Sequence, residues 1–112
     1  MAGFVYSQDC SVLTTLSAVN IYTVPTGSTF EIKTLWVTNV KTNDDFIWIW
    51  HVPFGGSVED AHIRLPGLLI PQKDFKKFQC DWQMADGDMI YTKGETLTLG
   101  MSVSIHGLEY QL

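Results

Sequence analysis

Apolar and polar residues alternate along most of this chain with a period of two, the signature of strands with one buried and one wetter face. The clearest stretch lies near the end, where Leu97, Leu99, Met101, Val103 and Ile105 alternate with Thr96, Thr98, Gly100, Ser102, Ser104 and His106. Beyond Gly107 the apolar positions continue at Leu108, Tyr110 and Leu112 on the other parity, which predicts a bulge at Gly107. Residues 20–24 read as a short strand ended by Pro25, and Pro25-Thr26-Gly27-Ser28 places proline and glycine where a turn needs them. Residues 30–40 form a longer strand carrying Phe30, Ile32, Leu35, Trp36, Val37 and Val40, and its parity shifts after Ile32, again as a bulge or twist would make it. A polar turn at 41–45 leads into a strand at 46–52 that is apolar on both faces. Phe46, Trp48, Trp50 and Val52 share one face of it, Ile47 and Ile49 the other. Pro53-Phe54-Gly55-Gly56-Ser57 breaks this strand, and residues 58–61 suit a single helical turn capped by Ser57. Residues 64–70 are a short apolar piece broken by Pro66-Gly67 and closed by Pro71. Strands at 74–82 and 89–92 flank a tight turn at 85–88, and 93–95 turn into the last strand.

Seven or eight short strands without an amphipathic helix of useful length predict an all-β fold, an antiparallel β-sandwich of jelly-roll or immunoglobulin-like order. At 112 residues the chain makes one domain. Residues 1–19 are expected as an N-terminal arm or first strand, and 20–112 as the sandwich. A chain of this size buries roughly two-thirds of its unfolded surface, so a core forms without metal or disulfide.

Composition sharpens this picture. The chain is 46% hydrophobic and 17% charged, with a net charge of −5. The apolar content excludes a disordered acidic tail. Seven basic residues against twelve acidic ones offer no patch for nucleic acid. The start of the chain lacks the basic and apolar regions of a signal peptide, and no apolar run reaches the ~18 residues of a membrane helix. The expectation is a protein made in a cytoplasm, with neither nucleic acid nor membrane as partner. Low charge beside four tryptophans means that apolar surface must be hidden somewhere.

Sites of chemistry are sparse. Cys10 and Cys80 match no zinc or redox spacing, and Cys80 reads as a small buried hydrophobe beside Phe78 and Trp82. His51, His62 and His106 have no metal-ligand spacing. Asp44-Asp45, Glu59-Asp60 and Asp86-Gly87-Asp88 fall in turns, where a carboxylate bonds its own backbone. Nucleophile elbows and phosphate-binding glycine loops are absent from the sequence. No catalytic residue, cofactor or metal is expected, and the chain does not read as an enzyme. The aromatics remain. Both faces of the 46–52 strand cannot meet one two-layer core, so one face is expected to lie under a loop, a helical turn or another subunit.

The order of short motifs resembles a family of small β-sandwich virion structural proteins of tailed bacteriophages. The run Tyr22-Thr23-Val24-Pro25-Thr26-Gly27-Ser28-Thr29-Phe30-Glu31-Ile32-Lys33-Thr34-Leu35, followed by Val37-Thr38-Asn39, is similar to that family's Val-Pro turn, aliphatic strand and terminal Asn. Trp50-His51-Val52-Pro53-Phe54-Gly55-Gly56-Ser57, Leu69-Ile70-Pro71 and Ala85-Asp86-Gly87-Asp88-Met89-Ile90-Tyr91 resemble later segments, so the likeness spans about residues 20–107. It implies a non-enzymatic virion component, and it carries over no binding residue, because the matching positions are turns and strand starts. The expected role is a capsid decoration, or cement, protein that stabilises the assembled shell. Its expected partners are itself, as a homotrimer or other symmetric oligomer, and the major capsid protein or tail proteins. Phe46, Trp48 and Trp50 are the expected contact residues, together with Phe4, Val5 and Tyr6, whose stretch could add to a neighbour as a strand. Three rivals stand beside this reading. One is a tail, baseplate or fibre module. Another is a carbohydrate-binding module stacking sugars on Trp48, Trp50 or Trp82. The last is a cupin-like enzyme in which His51, His62 and His106 converge on a metal.

Overall fold

The computed structural model describes residues 4–95 and 100–111, with the backbone alone for 4–12. Eight strands run through them: β1 (Phe4–Leu13), β2 (Val19–Thr23), β3 (Ser28–Asn39), β4 (Asp45–Val52), β5 (Ile63–Ile70), β6 (Asp74–Met84), β7 (Met89–Lys93) and β8 (Ser102–Gln111). They form two four-stranded sheets, ordered β1-β8-β3-β6 and β2-β7-β4-β5, in which every pairing is antiparallel. First pairs with last, second with seventh, third with sixth and fourth with fifth. That is one antiparallel ribbon of four strand pairs rolled over itself into two sheets, and it makes the sandwich a jelly roll. The molecule extends 51 × 25 × 18 Å.

Alternation decides what enters the core. Phe30, Ile32, Leu35 and Val37 of β3, Val103 and Ile105 of β8, Ile47 and Ile49 of β4 and Ile90 of β7 are buried between the sheets. The parity change in β3 is a true bulge: against β8 the register runs Ile32–Gly107 and then Thr34–His106, so Lys33 is the extra residue. The irregularity expected at Gly107 therefore lies across from it. Strand β8 keeps one parity through Val103, Ile105, Gly107 and Glu109, and pairs with β1 without a break. Gly107 faces inward because Phe30 occupies its side-chain space, and a Cβ there would stand 2.6 Å from Phe30 Cζ. Consequently Glu109 turns inward, where its Oε1 accepts from the Tyr22 hydroxyl at 2.5 Å, and Leu108 and Tyr110 face outward. The expected strand positions 96–99 and Leu112 lie outside the described residues.

Two further expectations are corrected. Pro66-Gly67 does not break the 64–70 segment. Strand β5 runs through both, because it is an edge strand, where a missing N–H costs nothing, and two register shifts against β4 absorb the distortion. The helical turn lies two residues later than expected, as a 3-10 turn at Asp60–His62 with Glu59 at its N-cap. Ser57 does not cap it, and its hydroxyl bonds Glu59 Oε2 instead. The polar segment at 41–45 is also less exposed than its composition implies. Lys41 and Asp45 are buried as an ion pair, and Asp45 Oδ1 accepts from Phe46 N and Glu95 N. Buried Asn39 ties this corner: its Nδ2 donates to Asn43 O and Ile70 O, each at 3.0 Å, and its Oδ1 accepts from Lys41 N.

Candidate interaction surface

Strand β4 sits second from the edge of its sheet, so its outer face can be read from its neighbours. Ile47 and Ile49 point to the core, which puts Phe46, Trp48, Trp50 and Val52 on the outside. Their cross-strand partners are Leu69, Pro66 and Ile63 on β5, and Lys93, Tyr91 and Met89 on β7. This outer face divides into two parts.

At the end nearest the 53–62 connection it is covered. Trp50 is 7% exposed and Val52 is fully buried, although both stand apart from the core cluster. The chain leaves β4 at Pro53, and its 3-10 turn comes back against the same strand. Asp88 anchors the start of this connection: its Oδ1 accepts from Phe54 N at 3.1 Å, and its Oδ2 accepts from Ala85 N at 2.9 Å. His51 Nε2 lies 2.9 Å from the same Oδ2, and Arg64 Nη2 donates to His51 Nδ1 at 3.3 Å. Burial alone would raise the Asp88 carboxyl. The His51 contact and the two backbone N–H groups outweigh it and hold the group below its ordinary value. The Trp50 indole N–H is buried and finds no hydrogen-bond acceptor among the described residues.

At the other end the face is bare. Phe46 is 37% exposed and its cross-strand partner Leu69 is 42% exposed. Trp48 is half-buried, with its ring centroid 6.4 Å from that of Phe46, and Lys93 Nζ lies 4.7 Å from the Trp48 ring centre. Gly67 makes this packing possible, since a Cβ there would lie 2.9 Å from the indole. An aromatic pair beside an aliphatic side chain, rimmed by a cation, can exclude water against a flat protein surface.

The remaining candidate residues are scattered. Phe4, Val5 and Tyr6 fall in β1, in register with Gln111, Tyr110 and Glu109 of β8, and their side chains lie outside the described residues. Trp82 packs inward against the core under Arg64, so it shares no platform with Trp48 or Trp50. Trp36 lies on the outer face of the other sheet, with Lys77 Nζ 5.3 Å from its ring. His51 pairs with Asp88, His62 with Glu59, and His106 sits on β8. Among the described residues, no group of three His, Cys, Asp or Glu side chains could hold a metal. Cys80 is a free, half-buried thiol packed against the core, and burial raises its pKa. Sequence patterning had grouped Trp50 with Phe46 and Trp48. The expectation of a loop or helical turn over one face of β4 did not say where on that face it would lie; in the structure the Asp60–His62 turn comes back against β4.

The fold thus defines a jelly-roll sandwich with one partly bare outer sheet. No protein-family model matches the sequence, and no curated protein matches it either. Among solved structures, the chain is similar to one in the acidic stable capsid structure of Helicobacter pylori bacteriophage KHP30. That match has a TM-score of 0.59 at 10% identity and covers 98% of this chain and 90% of that one. It is similar to the same extent, with a TM-score of 0.58 and 10% identity, to a chain of Bacillus endospore appendages, a novel family of disulfide-linked pili. Coverage there is also 98% of this chain and 90% of the other. Both likenesses are of fold, and they extend over nearly the whole sandwich.

Proposed function

We propose that this chain is a non-enzymatic structural subunit of a tailed-phage virion, a decoration module that binds the assembled shell as a symmetric homo-oligomer. The observation that carries the reading is the bare half of the outer sheet. Phe46 and Leu69 stay exposed beside half-buried Trp48 in a chain with little charge, while Trp50 and Val52 on the same face are buried. A subunit that works inside an assembly buries such a patch permanently. The whole-chain likeness in fold to a chain of a phage capsid structure supports the same reading.

The role is tested by mixing purified protein with emptied phage shells and sedimenting them. Wild type is expected to co-sediment, and the double variant Phe46→Ser, Trp48→Ser to stay in the supernatant with its fold intact. Failure of the wild type to bind overturns the decoration role. Copy number in purified virions then separates shell from tail. Hundreds of copies place the protein on the shell, whereas about three to eighteen, the order expected of a cyclic ring, place it in the tail, baseplate or fibre.

A further inference from the structure

A sandwich of two open sheets has four edge strands, here β1, β6, β2 and β5. Unpaired edges invite association, and folded proteins blunt them with short strands, prolines, bulges or charges. Three of these four edges are blunted. Strand β2 has five residues and a register irregularity between Asn20 and Tyr22. Strand β5 carries Pro66, Gly67 in the left-handed region at φ +77°, and two register shifts. Strand β6 carries Asp74, Lys76, Lys77 and Asp81 and slips register where it passes the β3 bulge.

Strand β1 has none of these devices. It is ten residues long, contains no proline, glycine or basic residue, has Asp9 as its one charge, and pairs with β8 without a break from Phe4 to Leu13. Among the described residues, its other edge pairs with nothing. An unprotected edge of this length is the one through which a protein adds strands.

The sequence of β1 also says what can pair with it. A two-fold axis that reverses strand direction keeps each face of the sheet on its own side. Only residues of like parity can then stand opposite one another. With the axis at Gln8, Phe4 stands opposite Val12, Tyr6 opposite Cys10, Val5 opposite Ser11 and Ser7 opposite Asp9. Phe4 and Tyr6 then meet Val12 and Cys10, Val5 meets a serine, and the lone carboxylate also stands opposite a serine. Moving the axis to Asp9 sets two carboxylates against each other, a destabilising cross-strand pair, and moving it to Ser7 sets Val5 against Asp9. We infer that β1 is a self-association strand, by which two copies of this chain pair edge to edge and antiparallel across a two-fold axis at Gln8. The pairing joins two four-stranded sheets into one of eight strands through about ten backbone hydrogen bonds.

The test needs no shell, so its failure is separate from that of the decoration role. Sedimentation equilibrium of the wild-type protein is expected to give a dimer or an even multiple of one. Register is then read by cross-linking in a Cys10→Ser background. Directly opposite residues have Cα atoms about 4.5–5.5 Å apart, within disulfide range, and diagonal ones do not. Mild oxidation should therefore convert Gln8→Cys to covalent dimer at least about tenfold more than Asp9→Cys. A monomer in sedimentation overturns the inference. So does an odd-numbered oligomer that Gln8→Cys fails to link, or equal linking by the two variants. Protection of the β1 amides from hydrogen exchange that appears only when emptied shells are added also overturns it, because the strand's partner is then a shell protein.

Discussion

Replacing Gly107 by alanine puts one methyl group where the two sheets and the β3 bulge meet. The new Cβ would clash with the backbone oxygen of Glu31 and stand 2.6 Å from Phe30 Cζ and 3.0 Å from Phe30 Cε2. The ring can tilt, but the carbonyl belongs to the strand that carries the bulge and moves only if the β3–β8 ladder moves. Overpacking of this kind costs typically 1–3 kcal/mol, and a clash with fixed backbone belongs at about the upper end. The alanine also restricts the unfolded chain, which returns about 0.4–1 kcal/mol. The net loss is therefore about 2 kcal/mol. For a chain of 112 residues, whose unfolding entropy is about 2.1 cal/mol/K per residue, this lowers the midpoint by roughly 8 °C. Calorimetry of Gly107→Ala against wild type measures it directly. Gly27→Ala is the control: its φ is +83° but nothing lies within 4 Å, so only the left-handed backbone contributes, about 1–2 kcal/mol. Adding Phe30→Leu to Gly107→Ala should relieve the ring contact but not the carbonyl one. If Gly107→Ala unfolds together with wild type, Gly107 does not face Phe30 and the assignment of the bulge to β3 is wrong.

Other outcomes follow from single contacts. Asp88→Ala leaves the Phe54 and Ala85 N–H groups without their acceptor and should cost about 1–3 kcal/mol by urea denaturation at neutral pH. Because the folded carboxyl of Asp88 is held below its unfolded value, its contribution is full above the unfolded pKa, about 4, and is lost as pH falls through the folded one. Asp88→Asn should accordingly flatten the fall in stability on acidification below about pH 4, and an unchanged acid limb would count against the His51–Asp88 contact. Trp50→Ala should lose about 3–5 kcal/mol, whereas Phe46→Ser should lose only about 1–2 kcal/mol, since Trp50 is 7% exposed and Phe46 37%. Asn39→Ala removes three hydrogen bonds at the corner joining β3, the 41–43 turn and β5, and should cost more than about 2 kcal/mol, read as a lower denaturation midpoint.

Alternation made most of this architecture legible. The strands around Phe30, Ile47 and Val103 were readable because each has one face that must be dry, and the parity change after Ile32 located the β3 bulge to within a residue. Strand order was not readable, because alternation tells which face is buried but not which strand lies beside which. Gly107 misled for a related reason: a buried glycine looks like a break in an apolar pattern when a ring from the neighbouring strand is filling its place. Buried Glu109 and the Lys41–Asp45 pair were equally hidden, since polar residues announce exposure until a partner from elsewhere in the chain is known. Of the surface, alternation grouped Phe46, Trp48 and Trp50 on one face of β4, but it could not tell that Trp50 is 7% exposed and Phe46 37%, because exposure depends on tertiary packing.

The pairing of β1 with β8 has a consequence in time. Phe4 stands opposite Gln111, so β1 is made well before β8, its neighbour in the sheet. The ladder closes over the long loop from Phe4 to Gln111, the kind of contact that makes folding slow. Until then residues 4–13, with one charge among them, have no sheet neighbour while other copies of the chain are also being made. The same strand that closes the finished sandwich is thus the one most exposed to wrong partners during synthesis. The yield of folded protein should depend on how quickly residues 102–111 follow it.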